Sequence, residues 1–232
     1  MKQVPYLHFH VYHKTKSAFT MLELIFVIIV LGILASMVLT RIERDIRQEA
    51  ADSILSDIRY TQHLALIDDK HQFDNPKWQQ RFWRIVFSSC SDGTGRYYMI
   101  GTDDDMDSST NAFFEYDEAA VDPSNGKRMF WENTKPCASD NDTNTSVSDR
   151  IFITKNYGIQ TVTNTGGCGA GHIGFDHLGR PHAGFSNSAQ PNSASYMTQR
   201  CTFTFTMSDG DTFSINVEPE TGYAYISNQP ES

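Results

Sequence analysis

The sequence predicts an α+β protein in which one long N-terminal helix packs on an antiparallel, β-rich head. Three observations predict it. The stretch Phe19–Thr40 is apolar apart from Glu23. The segment 41–67 contains no Pro or Gly and repeats apolar side chains at Ile42, Ile46, Ala50, Ile54 and Ile58, the spacing of one helix face. Beyond residue 67 the period shortens to brief runs in which apolar and polar residues alternate, as they do in strands.

Taken in order, residues 1–18 carry Lys2, Lys14 and Lys16 with no acid, and read as a leader rather than as part of the fold. Residues 19–40 are long enough to cross a hydrocarbon core of about 30 Å as a helix. Positive charge ahead of such a helix holds that end in the cytoplasm and places the rest of the chain on the far side. An ionised carboxylate within the span costs on the order of a few kcal/mol, so Glu23 is expected to have a partner or a task. Residues 41–67 continue the helix as an amphipathic segment, with Arg44, Arg47, Glu49, Asp52, Asp57 and Arg59 assigned to the polar face.

Residues 68–232 form the head. Strands are expected at 82–88, 96–100, 127–131, 150–154, 158–162, 172–175, 200–207, 212–217 and 223–226. The clearest is the pair in which Cys201, Phe203, Phe205 and Met207 alternate with threonines. There Ser208-Asp209-Gly210-Asp211 turns the chain into Phe213, Ile215 and Val217, which predicts a β-hairpin with one buried face. The polar stretches 103–109, 138–149 and 186–195 read as surface loops.

Nineteen Lys and Arg against 28 Asp and Glu give a formal net charge of −9, which disfavours non-specific nucleic-acid binding. The four cysteines, Cys90, Cys137, Cys168 and Cys201, all follow the apolar span and would face an oxidising compartment. Of three connectivities, the sequential one, Cys90 with Cys137 and Cys168 with Cys201, closes the shorter loops and is preferred. A zinc site is the competing reading, but no C-x-x-C pair is present.

The basic leader, followed by Ala18, Phe19, Thr20 and a Glu five residues into the segment that begins at Phe19, resembles the class III signal of type IV prepilins and type II secretion pseudopilins. Three head segments, 51–66 (ADSILSDIRYTQHLAL), 175–181 (FDHLGRP) and 217–227 (VEPETGYAYIS), are similar to minor pseudopilins of the GspH/FimT type. The resemblance implies a pilin-like fold and cleavage between Ala18 and Phe19. A prepilin peptidase that also methylates the new terminus would make the cut, although Ala18 stands where the family usually has Gly. It further implies that Glu23 pairs with the N-terminal amine of Phe19 on a neighbouring subunit during assembly. The implied partners are other pilin or pseudopilin subunits and an inner-membrane assembly platform. The implied location is the bacterial inner membrane as a single-pass protein with the head in the periplasm, and then a filament.

Other constellations are weaker. Asp103, Asp105 and Asp107 have a D-x-D-x-D spacing that suits calcium, but Ser108 and Phe114 stand where an EF-hand loop needs Gly and Glu. Cys168, His172, His177 and His182 approach a metal-ligand series, which strand alternation and the Gly179-Arg180-Pro181 turn would scatter. No nucleophile elbow, Walker loop or dinucleotide glycine pattern is present, so no catalytic residue and no organic cofactor is expected. Two alternatives remain beside the filament subunit. One is a DNA-uptake pilin using aromatics with Arg180, His182 and Arg200. The other is a signal-anchored periplasmic enzyme or adhesin.

Overall fold

The computed structural model describes residues 20–72, 74–107, 114–137, 146–169 and 171–227, without the side chains of 36–45. The Ala18/Phe19 cleavage position lies outside the described residues, as do parts of the loops 103–109 and 138–149. The chain divides into two compact units, Met1–Arg44 and Asp45–Ser232, and helix α1 (Met21–Ile67) runs through both.

In the first unit, Thr20 caps α1 by accepting the Glu23 backbone N–H on its hydroxyl at 3.3 Å. This is the T-x-x-E spacing of a helix start. From Thr20 to Ala35 every side chain is exposed, apolar or not. Among the described residues, no helix is long and apolar enough to cross a membrane. The expected span, 19–40, extends past Ala35 into residues whose side chains are not described.

In the second unit α1 is amphipathic as its spacing predicts. Ala50, Ala51, Ile54, Leu55, Ile58 and Ala65 are buried, with Ile46 packed at the edge of the same core. Asp57 is the correction, because it is buried rather than part of the polar face. It sits beside Ile58 and a turn after Ile54, so helical geometry places it on the apolar stripe despite its charge.

The head contains two four-stranded antiparallel sheets. In the first, β1 (Trp83–Ser89) lies between β2 (Arg96–Gly101) and β4 (His172–Phe175), with β5 (Pro181–His182) at the edge beyond β4. In the second the order is β3 (Ile159–Gly166), β6 (Cys201–Met207), β7 (Thr212–Val217), β8 (Ala224–Ser227). The hairpin of β6 and β7 forms with one face buried as expected, and its register sets Phe203 opposite Ile215 and Phe205 opposite Phe213, with Cys201, Phe203, Phe205 and Met207 buried. Phe87 of β1 joins the two sheets, its ring centroid 5.0 Å from that of Phe203 and 5.4 Å from that of Phe205.

Two expected strands are replaced. Residues 149–151 form a 3-10 turn and Ile153–Tyr157 a short helix, α2, closed by Gly158 at φ 74°. The consecutive buried residues Ile151, Phe152 and Ile153 carry no period by which a strand and a turn could be told apart. Residues 127–131 form only isolated bridges, Arg128 with Val121 and with Val147.

Disulfides join Cys90 to Cys137, with Cα atoms 5.1 Å apart, and Cys168 to Cys201, 4.8 Å apart. This is the connectivity that loop length favours, and the second bridge reinforces the pairing of Gly166 with Cys201.

Candidate functional site

The three short head segments singled out in the sequence meet at one residue of α1. Gln62 donates from its side-chain amide to the carbonyl of Gly179 at 2.8 Å and to that of Thr221 at 2.9 Å. One acceptor belongs to the Phe175–Pro181 turn and the other to the turn before β8. Gly179 and Gly222 both have positive φ, and a Cβ on Gly222 would lie 2.4 Å from the Gly179 carbonyl oxygen. Only glycine allows the two turns to approach the helix this closely. Arg59, one turn earlier, donates to the Ala224 carbonyl at 2.8 Å.

Asp57 anchors a second polar contact beneath the same helix. Tyr98 donates its hydroxyl to the carboxylate, and Arg150 pairs with it at 2.9 Å. Burial raises the Asp57 carboxyl to about 6, and the bonds from Tyr98 and Arg150 offset only part of that cost.

Asp176, His182 and Ser195 stand in a hydrogen-bonded line, with His182 Nε2 3.3 Å from Asp176 Oδ2 and Nδ1 2.9 Å from Ser195 Oγ. The order resembles a hydrolytic triad, but Ser195 donates its proton to the Asn192 carbonyl at 2.7 Å and is buried. A hydroxyl engaged in this way is not poised for deprotonation by the imidazole. Arg180 also binds Asp176, at 2.7 Å. Burial alone would raise the Asp176 carboxyl, but His182 and Arg180 outweigh it and hold it well below the usual carboxylate range. The line therefore fastens the 176–182 turn. Arg180 and His182 are committed to Asp176, and Arg200 to Glu218 at 2.7 Å, so each of the three basic groups considered for DNA stacking faces an acid.

The histidine series does not converge. Cys168 is in a disulfide, His182 is in the Asp176 line, and His177 stacks on His71 and lies 3.6 Å from Asp69. The carboxylates that do converge are Asp103, Asp105 and Glu118, whose ligand atoms all lie within 4.8 Å of one another. Asp107 is not in this group, and its backbone N–H is bound by Asp105 Oδ1 at 3.1 Å. Asp104 turns the other way, to Lys70 at 3.0 Å and Arg81 at 3.2 Å. Glu118 was missed because it is distant in sequence from the aspartates and no spacing links it to them. It closes the turn by accepting the N–H groups of Asp104 at 2.6 Å, Asp105 at 3.2 Å and Glu115 at 2.8 Å.

At the helix start, Glu23 is exposed and occupies the first turn of α1. A carboxylate there is favoured by the partial positive charge of the helix N-terminus. Searches of family models, of curated proteins and of solved structures find no match to this chain.

Proposed function

We propose that the chain is a minor pilin or pseudopilin subunit. In this reading it is processed at Ala18/Phe19, held in the inner membrane by its apolar segment, and assembled into a type II secretion or type IV pilus-like filament. Its role is mechanical and not catalytic. The observation that carries the reading is the two-part character of α1. Its first part exposes apolar side chains all round, Leu22 at 81%, Phe26 at 67% and Ile29 at 55%, while its second part closes the core of the head. A helix apolar on every side needs lipid or like helices around it, and a filament of such helices supplies both in turn. The meeting of the three pseudopilin-like segments at Gln62 adds support, since they form one contiguous part of the head. Glu23 then serves as the assembly contact, because two opposite charges that neutralise each other in an apolar setting favour one register over others.

The test is intact-mass analysis of protein extracted from membranes that contain an active prepilin peptidase, together with co-purification of filament subunits. The expected product begins with a methylated Phe19. Glu23→Ala is expected to be inserted and cleaved normally while losing most of its recovery with filament partners. A product retaining residues 1–18, or undiminished recovery of the variant, overturns the reading.

A further inference from the structure

Asp103 is 1% exposed, yet neither of its carboxylate oxygens has a hydrogen-bond partner. A buried carboxylate without a donor is among the more costly arrangements a fold can contain, and it calls for a neutralising charge in contact with it. Arg84, wholly buried nearby, contributes a favourable field and donates to the carbonyls of Phe82 and Gln80, and no hydrogen bond reaches either Asp103 oxygen. Lys70 and Arg81 are bound to Asp104 instead. What does face Asp103 is more negative charge, with ligand atoms of Asp105 and Glu118 within 4.8 Å.

We propose that Asp103, Asp105 and Glu118 bind a hard divalent cation of the calcium class. Calcium takes oxygen ligands at 2.3–2.6 Å, so two oxygens across one ion are about 5 Å apart at most, and a 4.8 Å spread fits around a single ion. The ligand set is all carboxylate, which suits calcium or magnesium and not a soft metal. Glu118 remains competent despite its backbone bonds, since Oε2 carries one N–H and each carboxylate oxygen has two lone pairs. Asp105 is exposed, so the remaining coordination positions open to water. The ion would join the end of β2 to Glu118 through direct bonds, in addition to the N–H groups that Glu118 already holds. This inference does not depend on the filament reading.

Calorimetric titration of the full-length chain in detergent, stripped with chelator and then given calcium chloride, tests it alongside thermal unfolding. One calcium per chain is expected, with a Kd no weaker than about 10⁻³ M, the weak end of extracellular calcium modules, and a Tm that rises with calcium. Asp103→Asn and the exposed, fold-neutral Asp105→Asn should each weaken binding at least about tenfold, while Asp107→Asn leaves it unchanged. Absence of heat and Tm shift at about 10 mM calcium overturns the proposal. So does a folded Asp105→Asn that titrates like the wild type. A wild type indifferent to calcium beside a stabilised Asp103→Asn would mean that a proton occupies the place assigned to the ion.

Discussion

Asp57 shows how one buried charge makes stability depend on pH. Its carboxyl is raised to about 6 in the folded chain from 3.8, so the folded state holds the proton more tightly than the unfolded state does. Its contribution is therefore fully present below about pH 4 and lost as pH rises through about 6. Urea unfolding of wild type and Asp57→Asn between pH 4 and 7 checks this. The stability of the wild type relative to the variant should fall by on the order of 2 kcal/mol across that window. Asp176 has the opposite sign, and what it contributes is lost only as pH falls below the ordinary carboxylate range. Neither role was legible from residue type. Helical spacing alone would have put Asp57 on the apolar stripe, but its charge suggested otherwise. Asp176 acquires its role from His182 and Arg180, which the turn brings to it.

At the scale of elements, α1 was the most legible part of the chain, because a period of four sustained from Ile42 to Ile58 has one structural meaning. The hairpin of β6 and β7 was equally legible from its threonine alternation. What failed was the stretch 150–154, where a short apolar run packs as a turn and α2, and the two-residue strand β5, too short to carry any pattern. The acidic site was half legible. The D-x-D spacing found Asp103 and Asp105, and only the fold brings Glu118 to them. Helix and turns are coupled through Gln62, and its replacement by Ala should cost about 1–3 kcal/mol, two carbonyls being left without their donor. Gln62→Glu, which sets an acceptor against those carbonyls, should cost more. Guanidinium unfolding of the two variants measures both, and equal stability of Gln62→Ala and wild type would show the clamp to be unimportant.

For the head as a whole, the two disulfides close loops of 47 and 33 residues. Each should contribute about 4 kcal/mol by restricting the unfolded chain. Paired Cys→Ser replacement at 90 and 137, and separately at 168 and 201, should lower the unfolding free energy by that order. Reductant should reproduce the loss in the wild type and have no further effect on the four-serine variant. The bonds from α1 to the head also determine how the head responds to force. Arg150 to Asp57, Arg59 to Ala224 and Gln62 to the two turn carbonyls lie within about one and a half turns of the helix. Tension drawn along that segment loads them side by side in shear instead of opening them one after another, so the head resists being peeled from its helix until several contacts yield together.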